Sequence, residues 1–115
     1  MFTVKEYYAE HAREMCRKLG AEASEFDRVF VLDEDGPKAA GILSLAGAKV
    51  LIKGVYGDIS ESYRDVMNRS LLHVCRCMNP ITVRVESASE YWKKFGFAEA
   101  DGGMEIKSDE INFKC

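Results

Sequence analysis

Apolar residues recur along this chain at two spacings: steps of three and four in some stretches, short alternating or continuous runs in others. The first stretch runs from Val4 through Tyr7, Tyr8, His11, Ala12, Met15 and Cys16 to Leu19. Steps of three and four put these side chains on one face, which predicts an amphipathic N-terminal helix. Thr3 and Glu6 have the spacing of a capping box, and Phe2 lies where a hydrophobic staple to Tyr7 would form. Arg13, Arg17 and Lys18 suit the negative end of the helix dipole, and Gly20 is expected to stop the helix. His11 falls inside the apolar stripe, where packing or an interface is its expected role.

The pattern then shortens. Arg28 to Leu32 is a β-rich run, Asp33-Glu34-Asp35-Gly36-Pro37 is a turn cluster, and Lys38 to Ala46 returns, so the pair reads as a hairpin. Gly47-Ala48 connects to a third run, Lys49 to Tyr56, in which Gly54 signals a bulge or a close backbone approach. Helical spacing resumes at Tyr63, Val66, Met67, Ser70, Leu71, Val74, Cys75 and Met78, with Ser60 as cap and Asn79-Pro80 as stop. Ile81 to Val85 follows as a short apolar strand, giving a strand–helix–strand unit that predicts a right-handed parallel crossover. Phe97 to Ala100 and Met104 to Lys107 read as strands around Asp101-Gly102-Gly103, and Glu110 to Lys114 is expected to be a last strand.

Composition narrows the classes. The 115 residues make one domain, and 47% hydrophobic with 30% charged residues is the balance of a soluble globular fold. A net charge of −3 argues against a nucleic-acid partner held through phosphates. There is no run of about 18 apolar residues, so no membrane span is expected. Met1 to Tyr8 carries acidic and polar residues where a signal peptide needs an apolar core, which with the cysteine usage predicts a cytoplasmic location. Cys16, Cys75, Cys77 and Cys115 form no Cys-x-x-Cys pair and read as reduced thiols; with only His11 and His73 beside them, no metal site is expected.

Between the last crossover strand and Phe97 lies Ala88-Ser89-Glu90-Tyr91-Trp92-Lys93-Lys94-Phe95-Gly96-Phe97, a short amphipathic helix with Ser87 as its expected cap and Gly96 as its stop. This segment resembles the Phe-Tyr-x-Lys-x-Gly-Phe signature of the GNAT acyltransferase superfamily. The order of elements from Arg28 onward, about three quarters of the chain, is also that of the GNAT core. The resemblance implies a single α/β domain over residues 1–115, with a GNAT-like mixed, mostly antiparallel sheet flanked by about three helices. It also implies transfer of an acyl group from acetyl-CoA to an amine, on a small molecule or on a protein, by direct attack. A homodimer is a further expectation, from the aromatic N-terminal helix.

Residue by residue, the resemblance places the pantetheine of acetyl-CoA beside Val55 and Tyr56, which match the Val-Tyr-Val that often precedes the cofactor loop. The family cradles pyrophosphate with Arg/Gln-x-x-Gly-x-Gly/Ala, where glycines let backbone amides converge on the phosphates. Here the aligned run is Arg64-Asp65-Val66-Met67-Asn68-Arg69, which keeps the arginine and lacks both glycines. Unbroken apolar periodicity reads as a helix from Ser60 that has absorbed the loop; the other reading has Arg64, Asn68 and Arg69 hold phosphate by their side chains. The family's general acid is the signature tyrosine, whose aligned position is Trp92, a residue without an acidic hydroxyl. Tyr91 is the substitute if the helix is rotated. The third strand lacks the family's glutamate, leaving Asp58 or Glu61 as candidate base. Relatives normally begin with a strand and two helices that wall the acceptor site, whereas this chain offers one helix. The alternative class is a non-catalytic module that uses the cleft to bind a ligand or partner.

Overall fold

The computed structural model describes residues 1–113. In chain order the elements are β1 (Thr3–Tyr7), α1 (Ala9–Lys18), β2 (Asp27–Asp33), β3 (Pro37–Ala46), β4 (Lys49–Tyr56), α2 (Glu61–Arg76), β5 (Thr82–Val85), α3 (Glu90–Lys93), β6 (Ala98–Ala100) and β7 (Gly103–Lys107), then a 3-10 turn, Ser108–Glu110. The strands form one sheet in the order β1-β2-β3-β4-β5-β7-β6. Every pairing is antiparallel except β4 with β5, which are parallel and joined through α2.

The two helices cover opposite faces because the strands alternate. Val29, Val31, Ala40 and Ile42 point to one side and pack with Ala12 and Cys16 of α1. Phe30, Leu43, Val50, Ile52, Val83 and Val85 point to the other and meet Leu71, Leu72 and Cys75 of α2. Gly41 lies beneath Leu71, whose side chain would be 3.1 Å from a Cβ at that position, so even an alanine there would need the Leu71 side chain to give way. Burying a leucine such as Leu71 completely stabilises the fold by about 1.5–3 kcal/mol. Trp92, Phe95 and Phe97, from α3 and the turn after it, extend the same core toward Met104 and Ile106.

The N-terminal expectation is corrected. Thr3–Tyr7 is an edge strand paired with β2 from Thr3↔Asp33 to Tyr7↔Val29, and the helix begins only at Ala9. Glu6 serves no capping box; its carboxylate accepts two hydrogen bonds from Arg28 on β2, at 2.8 and 2.9 Å. Phe2 packs on the Tyr63 ring at 5.3 Å rather than stapling to Tyr7. Tyr8 lies between strand and helix, and Ala9, the first residue of α1, takes a left-handed φ of 52° as the chain turns. The buried helix residues are Ala12 and Cys16, Leu19 is half-buried, and both Tyr8 and His11 are exposed. The chain therefore does begin with a strand.

At the other end, α3 starts at Glu90 with Ser89 in the cap position, not Ser87, and Ser89 makes no side-chain cap bond. Ser108–Glu110 is a 3-10 turn and Ile111 to Phe113 form no strand, so the expected last strand is absent over the described residues; Lys114 and Cys115 lie outside them. Cys16, Cys75 and Cys77 are free thiols. No helix among the described residues is long and apolar enough to cross a membrane.

Candidate functional site

The sheet opens at its centre. β4 pairs with β5 from Lys49↔Thr82 to Ile52↔Val85, and there the pairing stops. β4 runs on to Tyr56, whereas the chain after Val85 turns at Glu86 and Ser87. The stretch past Ile52 therefore has no β5 residue opposite it. A bulge starts the divergence: against β3 the register jumps from Leu43↔Ile52 to Ile42↔Gly54, leaving Lys53 as the extra residue. Gly54 takes φ 146°, a conformation that side chains other than glycine rarely adopt.

Val55 and Tyr56 face opposite sides of the sheet, as neighbours on a strand must. Val55 packs toward α2, and Tyr56 packs with the α1 layer, folding its ring over Gly54. Beyond the bulge, α2 begins at Glu61 with Ser60 as cap, the Ser60 hydroxyl accepting from the Tyr63 amide at 3.2 Å. The helix is continuous through Arg64 to Arg69, so the run aligned with a phosphate loop is helix.

Arg64 fills the mouth of the gap. Its guanidinium donates to the Val55 carbonyl at 2.6 Å and to the Gly57 carbonyl at 3.1 Å, so the strand end itself takes up this side chain. Around that mouth the charges are acidic: Glu34 accepts from the Tyr63 hydroxyl at 2.7 Å, and Asp58 and Glu61 are exposed.

The next residue of α2, Asp65, gathers a second group on another side of the helix. Its carboxylate accepts from the Tyr91 hydroxyl at 2.6 Å and the Arg69 Nε at 2.9 Å, with the Lys94 ammonium at 3.5 Å. The Tyr91 hydrogen bond, then Arg69 and Lys94, hold the Asp65 carboxyl below the usual carboxylate range against the opposing effect of burial. Burial, followed by the bond to Asp65, pushes the Tyr91 phenol well above its ordinary value, opposed by Asn68 and Arg69. The Tyr91 hydroxyl is thus a donor already committed to a carboxylate. Trp92 is buried, packed on Phe97 and Phe95 at 5.3 and 6.2 Å, and belongs to the core.

The structure brings Tyr91, Asn68 and Arg69 together and holds Arg64 of α2 against Val55 and Gly57 at the end of β4, but it leaves Asp58 apart, exposed on the β4–α2 loop with no side-chain hydrogen bond or ion pair among the described residues. Sequence reasoning missed Asp65 as a partner of Tyr91 and Lys94 as a member of the group. The i, i+4 spacing of Asp65 and Arg69 was the available signal. Among the described residues no three metal-ligating side chains come together.

Mixed sheet, parallel β4–β5 crossover, bulge and central divergence define a GNAT-like fold. A search of solved structures supports the same architecture: the solution NMR structure of YhhK from E. coli, a provisionally assigned N-acetyl transferase bound to coenzyme A, superposes with a TM-score of 0.63. The match covers 93% of this chain and 98% of that one at 15% identity, so it speaks to the fold. No protein-family model and no curated protein matches the chain.

Proposed function

We propose that this chain is a GNAT superfamily domain whose β4–β5 gap takes the pantetheine arm of acetyl-CoA weakly, and that it works as a ligand-binding module rather than an efficient N-acyltransferase. The observation that carries this reading is the end of β4–β5 pairing at Ile52↔Val85, beside the Lys53 bulge, which leaves the β4 edge past Ile52 without a β5 partner, its Val55 carbonyl taken up by Arg64. A coenzyme A-bound protein of the same fold supports the choice of ligand. When bound, acetyl-CoA supplies a thioester open to attack by an amine, of a small molecule or a protein.

The residues fit that ligand at one end only. The strand edge past Ile52 suits an extended amide-bearing arm. The phosphate end finds helix where a glycine loop would turn its amides, with Asp58 and Glu61 exposed beside it. Proton transfer is equally poorly served. Tyr91 gives its hydrogen to Asp65, Trp92 has no acidic group, and Asp58 stands exposed on a loop. An amide-resolved NMR titration of the full chain with acetyl-CoA tests the placement. Shifts should concentrate at Gly54, Val55 and Tyr56, and shifts confined to another face would overturn it.

A second reading, a module for a protein partner, rests on a different surface. Phe26 and Leu45 are exposed at 76% and 62%, and they border a cavity of about 150 Å³ with Leu43, Val50 and Met78. The homodimer and the cytoplasmic location remain proposals of the same rank.

A further inference from the structure

The Asp65 group has the composition of an anion site with its anion built in. Two cations and a phenol hydroxyl, from Arg69, Lys94 and Tyr91, converge on one carboxylate. Each donor is held by contacts that do not involve Asp65. The Arg69 guanidinium also donates to the Phe113 carbonyl at 3.2 Å and lies over the Phe95 ring at 5.0 Å. The Lys94 ammonium sits over the rings of Tyr91 and Phe95, at 4.2 and 5.2 Å. The Tyr91 ring is wedged edge-on against Trp92 and Phe95, at 5.0 and 5.5 Å.

Asp65 itself is the replaceable member. All its hydrogen bonds come from side chains, and its own side chain is 33% exposed, beside 23% for Arg69 and 39% for Lys94. The three charged side chains are thus all partly exposed to solvent. A phosphate group offers more acceptor oxygens and more negative charge than one carboxylate, on a scale that guanidinium and ammonium donors recognise well.

We propose that Asp65 is an internal stand-in for a phosphate group, and that a phosphorylated ligand binds at Arg69, Lys94 and Tyr91 by displacing it. The inference deepens the acetyl-CoA reading, since it names an obstacle to the phosphates of that ligand, but its chemistry is that of any phosphate. Displacement explains how a helix without an amide cradle can still carry a phosphate site: side-chain donors are present, and the fold's own carboxylate competes for them.

The test compares the full chain with its Asp65→Asn variant, using inorganic pyrophosphate and coenzyme A as probes in amide-resolved NMR titrations. Asp65→Asn should tighten pyrophosphate binding by at least about tenfold, with shifts at Arg69, Tyr91 and Lys94. Adding Lys94→Gln to that variant should remove most of the gain. An Asp65→Asn variant of native circular dichroism that binds pyrophosphate no better than the parent overturns the proposal. Where Asp65→Asn unfolds the chain, Lys94→Gln alone keeps the question open to measurement: it should weaken the parent's residual pyrophosphate binding several-fold, and no change overturns the proposal. Coenzyme A separates the two ideas. Shifts at Gly54 to Tyr56 that Asp65→Asn leaves unaltered in affinity sustain the gap reading and refute displacement. Pyrophosphate binding gained at Arg69 and Lys94, with Gly54 to Tyr56 unmoved by coenzyme A, does the reverse.

Discussion

The ammonium of Lys53, the extra residue in the β4 bulge, lies 3.2 Å from Oδ2 of Asp27 at the start of β2, reaching across β3 to do so. The Asp27 carboxylate is 1% exposed. Burial alone would push its carboxyl up, but the Ser24 amide, the Ser44 hydroxyl and Lys53 outweigh burial and hold it below the ordinary value. This pair anchors the residue that starts the divergence of the central strands, so the candidate site and the stability of the sheet are coupled there.

Asp27→Asn should therefore destabilise the chain by about 1–3 kcal/mol in urea unfolding. The sign of the pH dependence follows from the depressed folded-state pKa. The carboxylate's contribution is present above the unfolded value of about 4 and is lost as pH falls through the folded value. The gap between parent and variant should shrink as pH drops from 6 toward 3, and a gap that widens would show that the carboxylate is not the source.

Arg64 is bonded to the strand end, through the Val55 and Gly57 carbonyls. Arg64→Ala should cost about 1–3 kcal/mol of stability, because the Val55 and Gly57 carbonyls lose a charge-assisted donor. Acetyl-CoA binding should hold or improve, since the Val55 carbonyl is released. The two quantities are read from chemical denaturation and from NMR titration of the same preparation.

Gly57 is fixed by space as well as by backbone. A Cβ there would lie 2.3 Å from the Lys38 carbonyl oxygen, and its φ is 135°. Gly57→Ala should cost about 2–5 kcal/mol, whereas Gly47→Ala, with open space around it, should cost less. Equal losses in urea unfolding would mean that the end of β4 yields more easily than its packing against β3 indicates.

Tyr91 should ionise late. Its phenol is raised above the usual value of about 10 by burial and then by Asp65, so in ultraviolet titration its absorbance should appear above the ordinary tyrosine range. A raised folded-state pKa leaves its stability contribution intact below the unfolded value and removes it as pH rises through the folded one. Tyr91→Phe should therefore flatten the loss of stability above about pH 10, and an unchanged alkaline limb would contradict the combined effect of Tyr91's burial and its bond to Asp65.

Much of this fold was legible because its signals are local. The bulge at Lys53 was announced by Gly54, the start of α2 by Ser60, and β4 from Lys49 to Tyr56 by its own apolar run. β1 was illegible for a physical reason. Thr3, Val4, Glu6 and Tyr7 fit a helical continuation of α1 equally well, and only the ladder to β2 and the Glu6–Arg28 pair decide otherwise. An edge strand takes its order from a partner distant in sequence. The site divides the same way. Helix across Arg64 to Arg69 could be read from periodicity, but the destinations of Arg64, Asp65 and Tyr91 depend on how α2 and α3 meet, which no spacing records.

The central claim is that this fold keeps the gap for a pantetheine arm while lacking a ready cradle for the phosphates. Losing several charge-assisted hydrogen bonds, each worth about 1.5–3 kcal/mol, lowers affinity by orders of magnitude. Titration calorimetry of the full chain with acetyl-CoA tests this most directly. The account predicts a dissociation constant weaker than about 100 μM, unchanged or tighter in Arg64→Ala. A constant of a few micromolar that weakens in Arg64→Ala would contradict it and return Arg64 to the role of a phosphate ligand.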